Sequence, residues 1–154
     1  MFDLNWDSDR KGGMFILTKT RFRVGLVIFG VFLVGIIVAA NRGACGWLWS
    51  LSANIPHGDK VGHLVLIGFC SFLLNGSLGG RRAPGRFRGL MLGSLLLLIV
   101  VTIEEGSQFF NVHRTCDPVD WLANVMGVAL GEVSFRILIL SASGVLAGSK
   151  CALK

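Results

Sequence analysis

Twelve polar or ionisable residues stand where long apolar runs meet their flanks: Asp59, Lys60, His63, Glu104, Glu105, Gln108, Asn111, Arg114, Asp117, Asp120, Asn124 and Glu132. Glu105 and His63 are the members suited to general acid or base work. Arg114 carries the planar fork that clamps a phosphate or carboxylate bidentately, and Asp120 is of the type that caps a helix start. Helical spacing groups them. Asp59 and His63 are four apart, Glu104 and Glu105 stand four and three residues before Gln108, and Asp120 and Asn124 are again four apart, so each set shares one helix face. A metal would have to use His63, Glu105 and Asp120, a poor zinc signature. No metal and no cofactor is expected.

The elements that position these residues are membrane helices. The chain has 154 residues, of which 53% are hydrophobic, and a mean hydropathy of +0.67. That is too much apolar surface for a soluble core of this length. Val24 to Ala40 runs uncharged, and Gly89 to Ile103 does the same before the two glutamates. Val61 to Leu78 and Trp121 to about Val145 have the length to span once a few polar residues are accommodated. The expectation is an all-α membrane protein of about four transmembrane helices. The first run also has features of a cleavable signal peptide, with Arg21 and Arg23 ahead of it and Val38-Ala39-Ala40 at its end, but more membrane follows, which favours an uncleaved anchor.

Lysine and arginine fix the expected orientation. The N-terminal flank, the loop holding Arg81, Arg82, Arg86 and Arg88, and the tail carry eleven of the fifteen; Arg42, Lys60 and Arg114 lie on the other side, and Arg136 is within the last span. Both termini are therefore expected in the cytoplasm. The net charge of +6 then reflects topology and anionic lipid, and no nucleic-acid partner is expected, because no stacking aromatics interleave the basic loop. Counting along the helices puts His63 and Asn124 about one turn deep and Glu105 about 24 Å above Gly89, so three helices bring polar groups to one shallow outer level. Intramembrane charge is costly, and these faces should turn towards one another. Trp47, Trp49 and Trp121 fall where an outer aromatic belt is expected.

Read in order, these residues resemble the motifs of the VanZ-like family, small membrane proteins named for a teicoplanin-resistance protein. Asp59-Lys60-Val61-Gly62-His63 resembles its D-K-x-x-H signature, and Glu105-Gly106-Ser107-Gln108 its E-x-x-Q motif. Arg114, Asp117, Asp120, Asn124, Gly127 and Gly131 follow at the spacing of its R-x-x-D-x-x-D-x-x-x-N-x-x-G-x-x-x-G stretch. The match covers Ile55 to Gly131, half of the chain. Glu104 is an extra acid, and the frequent Pro between Gln108 and Arg114 is missing. The resemblance implies a multi-pass protein of a bacterial-type plasma (inner) membrane with the motif face outside the cytoplasm. It divides the chain into a charged cytoplasmic segment 1–21, a transmembrane domain 22–148 and a tail 149–154. Its functional implication is an effect on glycopeptide susceptibility or envelope assembly, with membrane lipids and a cell-envelope precursor or glycopeptide as partners, and no generally accepted reaction. Oligomeric state is left open.

Two functional classes follow. In one, the polar groups hold the helices in register and the outer surface binds a headgroup, a glycopeptide or a membrane protein; in the other, Glu105 or His63 works as acid or base on a lipid-linked precursor. Binding without established catalysis is favoured. Glu104-Glu105 also resembles the paired glutamates of CAAX-processing membrane proteases, but Phe109 stands where those have Arg, and no His follows His113. Four helices with no sign of an inverted repeat argue against transport. Gly127 and Gly131 form a small-xxx-small pair expected to pack within the protein. Cys45 and Cys116, in the two outer loops, are expected to form a disulfide if they lie close enough. Glu132 and Arg136 should pair within one helix, with Arg136 reaching to the cytoplasmic headgroups. How far the last helix continues towards Gly148 is open.

Overall fold

The computed structural model describes residues 12–43, 58–108, 110 and 117–151. Among them are four helices: α1 (Gly12–Asn41), α2 (Gly58–Ser77), α3 (Leu92–Gln108) and α4 (Pro118–Cys151). Three of these, at Lys19–Ala40, Gly58–Ser77 and Pro118–Ser141, are long and apolar enough to cross a membrane. The last helix does continue, as backbone helix, through Cys151.

Helix ends follow local chemistry. Pro118 occupies the first position of α4, where its missing N–H costs nothing, and Asp117 precedes it as the cap: its Oδ1 accepts from the Val119 N–H at 2.9 Å. Asp120 is thus not the cap expected from sequence; one turn in, its carboxylate turns to another helix. At the far end of α2, Gly79 and Gly80 take left-handed φ angles of 67° and 68°, and their N–H groups donate back to the Gly76 and Asn75 carbonyls. This is a closure glycine permits most readily.

Packing is organised by α2 against α4. A Cβ built on Gly127 would lie 2.6 Å from the Leu64 carbonyl oxygen and 3.1 Å from Gly68 N; one on Gly131 would strike the Gly68 carbonyl. The two backbones therefore touch, and only glycine fits between them. Contacts advance in step along both helices, from Lys60 with Asp120, through His63 with Asn124, to Phe72 with Phe135, so α2 and α4 run parallel. α3 runs opposite to both, its start beside Glu132 and its end beside Asp117. α1 is antiparallel to α2, with Phe22 against Phe72 and Phe29 against Phe69.

Polarity is distributed inside out. Ser71, Asn75, Ser94, Glu105, Gln108, Asn124 and Glu132 are buried, whereas Val31 is 70% exposed, Ile103 67% and Leu140 68%. A small apolar core of Cys70, Leu97, Val101 and Val128 separates the polar groups of the two ends. Exposed apolar surface on this scale is unstable in water and suits hydrocarbon.

The glycine seam yields a sharp contrast. Gly127→Val should cost about 2 kcal/mol or more by forcing α2 and α4 apart. Gly35→Ala, at a position where an added Cβ meets nothing within 4 Å, should stay within about 0.5 kcal/mol of wild type. Reversible unfolding of the purified protein in mixed micelles measures both.

Candidate functional site

The start of α2, the end of α3 and the start of α4 meet at one end of the bundle. Lys60 is the hub. Its Nζ donates to Asp117 Oδ2 and to Asp120 Oδ1, both at 2.8 Å, and to Asp59 Oδ2 at 3.3 Å. The two aspartates of α4 lie 57 and 60 residues away in sequence. Ion pairs open to water contribute little. Asp120 and Lys60 are the more enclosed members here, with side-chain exposures of 16% and 23%, so their contact counts for more than that with Asp59.

One turn deeper, His63 Nδ1 lies 3.1 Å from Asn124 Oδ1. An amide oxygen only accepts, so in this contact His63 Nδ1 is the donor. On the third side, Glu105 Oε1 accepts from the Asp117 N–H at 3.2 Å, and its Oε2 accepts from Gln108 Nε2 at 3.3 Å. Gln108 Nε2 also donates to Glu104 at 3.1 Å. The result resembles a capping box whose glutamate comes from a neighbouring helix: Asp117 caps α4 with its side chain while Glu105 of α3 holds its N–H. Trp121, expected at a membrane boundary, donates its indole N–H to Thr102 Oγ1 at 3.1 Å and ties α4 to α3 just below.

Of the nine polar residues in the motifs, eight thus meet at one end of the bundle: Asp59, Lys60, Glu105, Gln108, Asp117 and Asp120 are joined by hydrogen bonds, and His63 and Asn124 form a separate pair one turn deeper. Arg114 lies outside the described residues, as do Asn111, Trp47, Trp49, Cys45, Cys116 and the disulfide expected between those cysteines. Among the described residues no three His, Cys, Asp or Glu side chains are grouped to hold a metal ion. Chemically, the cluster is a densely hydrogen-bonded polar layer. Both Glu105 oxygens are committed as acceptors, and no buried described side-chain nitrogen or oxygen lacks a partner.

A second polar layer, not anticipated from sequence, lies towards the opposite end. Asn75 Nδ2 donates to Ser94 Oγ at 2.9 Å, Asn75 Oδ1 accepts from the Ser94 N–H at 3.2 Å, and Ser71 Oγ donates to the Val128 carbonyl at 3.0 Å. In the sequence Asn75 is a single polar residue within the apolar run Val61 to Leu78. Its position four residues after Ser71, on one helix face, was the available signal. Glu132 and Arg136 do pair, with Nε donating at 2.9 Å, but both also reach α3: Glu132 Oε2 accepts from the Met91 N–H at 3.2 Å, and Arg136 donates to the Gly89 carbonyl at 2.6 Å. The pair therefore clasps the backbone that leads into α3.

The architecture and the cluster define a class: a helical bundle with apolar flanks and polar layers at both ends, three of whose helices are long and apolar enough to cross a membrane. No family model, no curated protein and no solved structure matches the chain.

The hydrogen bond from Lys60, foremost, and that from the Val119 N–H hold the Asp117 carboxyl below its ordinary value of 3.8. A depressed folded-state value means that its contribution to stability is present above the ordinary value and is lost as pH falls through the depressed one. Asp117→Asn keeps the capping oxygen and removes the charge. The variant should be less stable than wild type at neutral pH, with the gap persisting down to the ordinary aspartate range and closing only below it. Thermal unfolding across an acid pH series checks this.

Proposed function

We propose that the chain is a VanZ-like integral membrane protein of a bacterial-type plasma membrane, which crosses four times with both termini in the cytoplasm and turns the Lys60 cluster outward. In this reading it alters glycopeptide susceptibility or envelope assembly by binding at that face. One observation carries the proposal: residues from three stretches far apart in sequence, matching the ordered motifs, meet at one end of the bundle, where Lys60, Asp117 and Glu105 are linked directly and His63 pairs with Asn124. α3 supports the fourth crossing, since its 17 residues rise about 26 Å from the Glu132 clasp to Asp117, close to the ~30 Å of a hydrocarbon core. Charge supports the orientation. Lys19, Arg21, Arg23, Arg81, Arg82, Arg86 and Arg88 gather at one end, and Asp59, Glu104, Glu105, Asp117 and Asp120 at the other.

Binding is favoured over catalysis because Glu105, the obvious acid, is used as a structural acceptor on both oxygens. The alternative, an enzyme acting by acid–base chemistry on a lipid-linked envelope precursor, has one point in its favour: with Nδ1 donating to Asn124, Nε2 of a neutral His63 is the basic atom best suited to it.

Topology reporters fused after Gly79 and after Val112 should read cytoplasmic and external respectively. A cytoplasmic reading after Val112 sinks the outward-facing site. Expression in a teicoplanin-susceptible host should raise the inhibitory concentration of teicoplanin, and Lys60→Met, at equal membrane abundance, should remove most of that rise. Glu105→Gln should keep it; its loss with protein retained would favour the enzyme. No shift with the wild-type chain removes the glycopeptide reading.

A further inference from the structure

The loop between α2 and α3 is a built element, not a slack connector. The Ala83 N–H donates to the Leu90 carbonyl at 3.0 Å, and the Leu92 N–H to the Arg81 carbonyl at 2.7 Å, closing a hairpin around an isolated bridge between Arg82 and Met91. Its tip is a single 3-10 turn, Gly85–Phe87, and Leu90 N–H returns to the Phe87 carbonyl at 2.9 Å. Ala83 is buried beneath the hairpin, which anchors it to the bundle, while Arg81, Arg82, Arg86, Phe87 and Arg88 are all exposed. The Glu132–Arg136 clasp fixes the same element from behind through Gly89 and Met91.

Orientation by positive charge requires only that the charges be present; it does not require them to be held on a rigid frame. Here four guanidinium groups project from a fixed hairpin beside an exposed phenylalanine, and Arg86 stacks over that ring with its guanidinium carbon 5.2 Å from the centroid. No acidic residue lies within the hairpin sequence from Arg81 to Leu92. The one described acid beside its base, Glu132, is buried and already paired with Arg136. Arginine forks match phosphate oxygens, and an aromatic ring next to them suits the boundary between headgroup and acyl chain.

We propose that this hairpin is a docking surface for anionic phospholipid headgroups of the adjoining leaflet, with the arginines binding the phosphates and Phe87 entering the acyl boundary. The surface holds phosphatidylglycerol-class lipids in preference to zwitterionic ones. It lies at the opposite end from the Lys60 cluster and does not depend on what that cluster binds.

The test uses the full chain in nanodiscs of equal phosphatidylglycerol and phosphatidylcholine, with the lipids retained on the protein identified by native mass spectrometry. Wild type should retain phosphatidylglycerol with a preference of about tenfold or more, as expected for several arginines near an anionic surface. Replacing Arg81, Arg82, Arg86 and Arg88 together by Gln should bring the ratio close to parity. Should that variant fail to assemble, Arg86→Gln with Arg88→Gln, which leaves the Arg82–Met91 bridge in place, should reduce the preference about threefold. Lys60→Met should leave it unchanged, whatever that variant does to teicoplanin susceptibility. Parity in the wild type overturns the proposal. So does an undiminished preference in the arginine variants, which would assign the lipid to Lys19, Arg21 and Arg23, and so does displacement of the lipid by a soluble oligonucleotide at physiological salt.

Discussion

Backbone contact between α2 and α4 is the constraint on which the rest of the bundle depends. Gly68, Gly127 and Gly131 let the two helices approach until carbonyl and amide atoms are the nearest neighbours. At that separation the short side chains Ser71, Asn124 and Asp120 reach across, which they could not do between helices kept apart by leucines. Lys60 meets Asp120, and His63 meets Asn124, only because the seam fixes both rotation and register. In hydrocarbon such polar contacts are individually modest, averaging about 0.6 kcal/mol, so their specificity rests on many being satisfied together. The absence of any unpartnered buried side-chain polar atom among the described residues is the expression of that condition.

α3 completes the design by a different route. It has no glycine seam of its own with α4; instead its two ends are held by polar groups. Glu132 and Arg136 bind Met91 and Gly89 just before its first residue, and Glu105 binds the cap of α4 at the other end. The same carboxylate chemistry that looks catalytic in a sequence is here used to fasten helix termini, whose free amides and carbonyls need partners wherever water is scarce. Phe22, Phe72 and Phe135 seat α1 by edge-to-face contacts, leaving its opposite face apolar and exposed.

Much of this was legible in the amino-acid sequence because it depends on short-range periodicity. The apolar runs mark the helices, and the four-residue spacings of Asp59 with His63 and Asp120 with Asn124 put polar groups on shared faces. Gly127 and Gly131 announced a close approach, though nothing local identified Gly68 as its partner. What escaped were contacts joining distant segments. Met91 and Gly89 carry no chemical label that marks them as partners of Glu132 and Arg136, 41 and 47 residues away. The cap of α4 differs from the sequence expectation by one turn: Asp117 and Asp120 are both good caps, both reach Lys60, and the helix begins at Pro118, which leaves Asp117 in the capping position. Asn75 was the costliest omission, since one polar residue in an apolar helix seems an imperfection until Ser94 arrives from the next helix.

Clamping α3 at both ends has a mechanical consequence. A helix held only by apolar packing can slide or tilt independently when the surrounding bilayer thins or thickens, but α3 is pinned to α4 near Met91 and again near Asp117, so its length acts as a strut of constant height between the two polar layers. Were the bundle embedded in a bilayer, hydrophobic mismatch would be met by tilting of the whole bundle or by deformation of the lipid around it, not by internal slippage. The separation between the basic hairpin and the Lys60 cluster is thereby set by α2 and α3 together, the one running from Lys60 to the hairpin and the other returning from it.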